Sequence, residues 1–261
     1  MTTLTALESR RTPSFGGFNR TLLGLELRRL LRNRRTVVFT LVMPTVFFLL
    51  FGLNAPNAEQ SVGHGNVAAY IMVSMAVYGA MLATTSTGAS VSLERNLGWS
   101  RQLRLTPLAP AAYIAVKLAM ALVVSLVSVG VVYGAGVVTR TASMPLEVWV
   151  ETAVIGWLGS LVFAAFGLFM GYVLPGENVM QVLGPGLALL AFLGGLFVTL
   201  EDGSWLATVA QFTPMYGLNQ LVHEPLSGDP VHLSWILNVL AYLALFVAGA
   251  VWRFREDTAR V

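Results

Sequence analysis

The sequence predicts an all-α membrane protein: six transmembrane helices and an N-terminal amphipathic interfacial helix, to which a resemblance described below adds a short extracellular helical segment before the last span. Three observations predict it. Of 261 residues, 56% are hydrophobic and only 11% are charged, less than half the share of charge in ordinary soluble domains. Apolar runs long enough to cross a bilayer occur six times. The few cations fall almost entirely on one side. With a mean hydropathy of +0.70, a folded globule could not cover its surface with so few charges. A soluble enzyme, a nucleic-acid-binding domain, a disordered chain and a secreted disulfide scaffold are all poor fits. The absence of cysteine removes thiolate catalysis, Cys-ligated metal centres and disulfides.

The elements follow in order. Residues 1–35 form a cytoplasmic N-terminal segment. Within it Phe18–Arg32 reads as a basic amphipathic helix, with Leu23, Leu27, Leu30 and Leu31 on one face and Arg28, Arg29 and Arg32 on another. Such a helix lies along the lipid surface, held by apolar burial and anionic headgroups. Its arginines are also candidates for docking a cytoplasmic partner.

The six spans within the membrane domain, 36–252, are 36–53, 67–93, 112–138, 153–174, 179–200 and 234–252. The first rises ~27 Å as a helix, just enough for the hydrocarbon core. It is flanked by arginines and followed by no small-residue cleavage site, so it reads as a retained span rather than a signal peptide. Runs such as Val46–Phe51 do not alternate polar and apolar residues, which excludes barrel strands. Residues 253–261 are a cytoplasmic tail. With six spans, 15 of the 16 basic residues fall on one side and only Arg140 on the other. The positive-inside rule then puts both termini in the cytoplasm of a cell-membrane protein. The basic pI of about 9.5 marks that face, and nucleic acid is not needed to explain it.

What the spans lack is informative. They hold no Asp, Glu, Arg or His, and Lys117 sits near a cytoplasmic end where it can snorkel. Ion-coupled carriers and voltage sensors need ionisable groups at depth. His64, His223 and His232 all read as outer-loop residues, so no Ser–His or Asp pair for membrane hydrolysis is in view. No phosphate-binding loop is present either. Thr84, Thr85 and Thr87 of the second span are candidates for a polar substrate path, although such hydroxyls also bond back to their own helix. Gly130/Gly134, Gly156/Ser160/Ala164 and Gly167/Gly171 have helical spacing and suit close helix packing, while glycine is common in membrane helices anyway. Gly184-Pro185-Gly186 is expected to kink or break the fifth span. The outer Glu201, Asp202, Glu224 and Asp229 with His223 and His232 show no tight ligand spacing and read as a solvated acidic rim.

The segment between spans two and three carries the most specific signal. It reads Glu94-Arg95-Asn96-Leu97-Gly98, then Arg101-Gln102-Leu103-Arg104-Leu105-Thr106-Pro107-Leu108, and continues to Lys117. Gly98 allows a sharp turn, and Thr106-Pro107 is an N-cap followed by proline at the first helical position. A short helix slung between two crossing helices would tilt both when pushed.

These residues resemble the signature of ABC-2-type exporter permeases, the membrane subunits of bacterial ABC exporters, and look closest to the daunorubicin-resistance-like branch. The likeness extends to the amphipathic entry helix and to Trp205–Leu221, which is similar to that family's short extracellular helices; an arginine common near the end of that stretch is replaced by Glu224-Pro225-Leu226. The resemblance implies that Glu94, Arg95, Gly98, Arg101, Leu103, Arg104 and Thr106 form a coupling helix seated on a separate ATP-binding subunit. The entry helix, through Arg28, Arg29 and Arg32, would press on the same subunit. ATP and Mg²⁺ would belong to that partner, with no catalytic, cofactor or metal residue in this chain. A second permease copy or a sister permease is implied, in contact with membrane lipids and a hydrophobic drug-like or lipid-like substrate. The rival readings are an integral membrane lipid-handling enzyme and a non-transporting membrane assembly protein.

Overall fold

The computed structural model describes residues 24, 28, 32–96, 110–174, 176, 179–198, 200 and 203–259. The first helical run, α1, covers residues 34–52 and alternates α turns (Arg34–Val37, Met43–Phe47) with π turns (Val38–Val42, Phe48–Gly52). A two-residue antiparallel hairpin follows, β1 (Ser61–Val62) and β2 (Gly65–Asn66), with Val62 opposite Gly65. The chain then forms α2 (Val67–Asn96), α3 (Pro110–Thr139), α4 (Leu146–Gly159), α5 (Leu161–Val173) and α6 (Val179–Leu193). After these come α7 (Trp205–Ala210), α8 (Pro214–Ser227) and α9 (Leu233–Ala259).

The six-span expectation is overturned. Among the described residues four helices are long and apolar enough to cross a membrane: Val67–Arg95, Ile114–Thr139, Leu146–Val173 and Leu233–Phe254. The third joins α4 and α5 through Ser160 and starts seven residues before the predicted 153–174. The predicted spans 36–53 and 179–200 appear instead as shorter apolar helices, Val38–Gly52 and Gln181–Leu193.

Both shortfalls have local causes. In α1, Pro44 has no N–H to donate to the Thr40 carbonyl, so the α ladder is interrupted there, and π turns place more residues in each turn. The freed Thr40 carbonyl accepts the Ser128 hydroxyl of α3 at 2.8 Å. In α6, Pro185 does not end the helix; Gly194-Gly195 does. Gly195 takes φ +79, its N–H donates to Phe192 O at 3.1 Å, and Leu196 N–H reaches back to Ala191 O at 2.9 Å. This is the paired bonding of a glycine-terminated helix end, and buried Leu196 supplies its apolar contact. The apolar sequence runs on past residue 193, but the helix does not.

Helix α2 is the hub. It packs against α5 and α3 most extensively, and also meets α1, α4, α6 and α8; α9 lies along α5 and α8. Met72, Val73, Met81, Phe163, Leu187, Met215 and Leu218 fill the centre. The α2–α5 approach is closest where Gly88 faces Ala164 and Gly167 faces Thr85. On the outside, Phe39, Phe51, Leu126, Val138, Leu189, Leu240 and Leu245 are exposed, an apolar surface that water would not tolerate and lipid would.

Candidate functional site

The bundle has two chemically distinct ends. At one, the hairpin is pegged by Asn66. Its Oδ1 accepts from Ala69 N at 2.9 Å, capping α2, and from Ser143 N at 3.0 Å, while its Nδ2 donates to Thr141 O at 2.7 Å. His64 of the same hairpin meets the end of α8, its N–H donating to Leu226 O at 2.7 Å. Arg140 lies at this end, where its N–H bonds Gly136 O as α3 closes.

The opposite end gathers cations. Glu94, in the last turn of α2, is ion-paired with Lys117, in the second turn of α3. Both are buried, at 4% and 3% exposure. The helix-start of α3 thus sits beside the end of α2, although 23 residues separate the partners in sequence. Lys117 therefore does not snorkel to water as expected; it is held inside by an acid. The predicted span stopped at Leu93, one residue short of that acid, whereas α2 continues to Asn96. The signal was available, since a cation inside an apolar run requires a partner and Glu94 is the nearest acid in the sequence.

Arg95 turns the other way. Its guanidinium donates to Tyr172 O at 2.9 Å and Gly171 O at 3.4 Å and lies 5.4 Å from the Tyr172 ring centre. These are the last carbonyls of α5, where a cation is favoured by the helix dipole. Tyr172 in turn meets Phe254 of α9 edge-on at 6.0 Å. The ends of α2, α3, α5 and α9 are tied together here.

Of the other residues proposed for this face, Gly98, Arg101, Leu103, Arg104 and Thr106 lie outside the described residues, as does Arg29. Arg28 and Arg32 are helical and exposed. Thr84, Thr85 and Thr87 are all buried. Thr84 donates to Ala80 O at 2.8 Å, Thr87 to Ala83 O at 2.8 Å, and Thr85 across to Phe163 O at 3.3 Å.

His223 corrects a second expectation. It belongs to α8 rather than to a loop and is 5% exposed. Its ring stacks on Tyr70 at 4.0 Å, Nδ1 bonds Asn219 O at 2.9 Å and Nε2 bonds the Ser74 hydroxyl at 3.1 Å. Burial pulls its pKa down to about 4, against the raising effect of the Asn219 and Tyr70 carbonyls. This is a Ser–His contact, but Ser74 is itself buried, so no substrate reaches its hydroxyl. The contact joins α8 to α2. Among the described residues no group of three His, Asp or Glu is placed to hold a metal ion.

Four long apolar helices around a buried hub, with an apolar exterior, define a multi-pass helical membrane protein. A model of the ABC-2 type transporter family matches residues 19–223. The chain is also 27% identical over 240 residues to "Putative transport permease YvfS" of Bacillus subtilis (strain 168), covering 90% of this chain and 96% of that protein. The chain belongs to the ABC-2 type transporter family, as a non-catalytic, transport-related membrane component.

Proposed function

We propose that this chain is the permease subunit of an ATP-driven exporter, moving a hydrophobic drug-like or lipid-like substrate out across the cell membrane. The energy comes from a separate ATP-binding subunit that holds ATP and Mg²⁺, and a second copy or a sister permease completes the membrane pathway. The observation that carries this reading is the family match, which runs continuously through residues 19–223 and so includes both the entry segment and the segment after α2. The basic end supports the orientation. Arg95, Lys117 and Arg253 lie on helix ends joined through Tyr172 and Phe254, while Arg140 lies at the other end. Cations retained on one side mark the cytoplasmic face, where an ATP-binding subunit would have to dock.

On this reading Arg101 and Arg104 contact that subunit, and the entry helix presses on the same subunit through Arg28, Arg29 and Arg32. The test is co-expression with a candidate ATP-binding subunit. Reversing Arg101 and Arg104 to Glu should abolish co-purification of the ATP-binding subunit while expression of the permease is unchanged. Undiminished co-purification and ATPase stimulation would sink the docking assignment. A nucleotide-independent chemical turnover by the isolated chain would instead favour the lipid-handling enzyme.

A further inference from the structure

Glu94 and Arg95 are adjacent in sequence yet engage different neighbours inside the chain. Glu94 is ion-paired with Lys117 of α3, both at 5% exposure or less, and Arg95 holds the terminal carbonyls of α5. Removing two charges from water is expensive, and a buried pair returns little net stability over apolar residues of similar volume. What such a pair does supply is a fixed geometry: removing either partner leaves the other a buried charge that has lost this ion pair, and the two helices cannot slide past one another without breaking it. Arg95 fixes the third helix in the same turn, and Tyr172 against Phe254 extends the contact to the fourth.

We propose that Glu94, Lys117 and Arg95 are positioning residues that form an internal clamp and do not touch the ATP-binding subunit. The clamp binds the two ends of the segment 97–109 to each other and to α5, so that force applied to that segment moves α2, α3 and α5 as one body. This rests on the permease reading and reassigns two of the residues the sequence places at the docking surface.

The experiment uses the permease in complex with its ATP-binding subunit, comparing wild type, Glu94→Gln, Lys117→Met and the exchanged pair Glu94→Lys with Lys117→Glu. Each single variant should retain co-purification of the ATP-binding subunit within about twofold yet lose most of the permease-dependent ATP hydrolysis, roughly tenfold. The exchanged pair should recover the greater part of it. If Glu94→Gln loses co-purification and the exchange does not restore it, Glu94 is a docking residue and the clamp is refuted. Thermal unfolding of the purified permease alone gives a second reading: each single variant should lower the midpoint by about 8 °C, and the exchange should restore it. Strictly additive losses overturn the clamp whatever the partner does. Failure of the wild type to retain any ATP-binding subunit overturns the permease reading instead, and the stability comparison still decides the ion pair.

Discussion

Replacing Gly167 by alanine tests the packing of the bundle most directly, because the same sequence pattern recurs on α3 with the opposite expectation. A Cβ at Gly167 would stand 2.3 Å from Thr85 O and 2.7 Å from Thr85 Cα. Ordinary contact begins near 3.4 Å, so α2 and α5 would have to part by about 1 Å. The obstacle is backbone, which cannot rotate aside. Overpacking of this kind costs about 1–3 kcal/mol, and the gain in helix propensity on replacing glycine offsets only about 1 kcal/mol. Parting the helices also stretches the Thr85–Phe163 hydrogen bond, already 3.3 Å. A net loss of about 1–2 kcal/mol corresponds to a midpoint lowered by roughly 2–8 °C in a chain of this size. At Gly130 and Gly134 a Cβ would meet nothing within 4 Å. Alanine there should leave the midpoint unchanged or raise it slightly. The assay is thermal unfolding of the purified chain in detergent, followed by tryptophan fluorescence at one scan rate. Adding Gly88→Ala to Gly167→Ala should cost less than the sum of the two, because Gly88 faces Ala164 O at 2.5 Å in the same crossing and one separation relieves both. A Gly167→Ala protein as stable as wild type, or a Gly130→Ala protein equally weakened, would refute the reasoning.

Two further outcomes are expected. Asn66→Ala removes three hydrogen bonds that join the hairpin, the start of α2 and the segment after α3. It should lower stability by about 2–3 kcal/mol, and Asn66→Asp, which keeps the acceptor and loses the donor, by about half as much in the same unfolding assay. For His223, the folded pKa lies near 4, below the ordinary 6.5, so its contribution is fully present above pH 6.5. As pH falls toward 4 the unfolded chain takes up a proton that the folded chain refuses, and about 3 kcal/mol of stability is lost across that window. Unfolding midpoints measured from pH 7 to pH 4 should show this slope in wild type and a flatter one in His223→Gln.

The sequence by itself determined the class of this protein and much of its layout. Composition excludes a soluble fold because the charge needed to solvate one is missing. The α2 helix was legible from Val67 onward because apolar residues on every side leave a buried or lipid-facing helix as the only backbone arrangement that satisfies its own hydrogen bonds. The family resemblance was legible from the residues after α2. The tertiary structure decided the rest. Span length could not be read from hydropathy alone at residues 36–53 and 179–200. Pro44 interrupts the α ladder within α1, where the Thr40 carbonyl accepts the Ser128 hydroxyl of another helix, and a left-handed glycine at 195 ends α6 while the apolar character continues. The three glycine spacings look alike in sequence, but only contact with a neighbouring backbone distinguishes Gly167 from Gly130. Lys117 and Glu94 are each ordinary as single letters. Their meaning arises from the antiparallel return of α3 alongside α2, which brings two charges into one buried place and makes each dependent on the other.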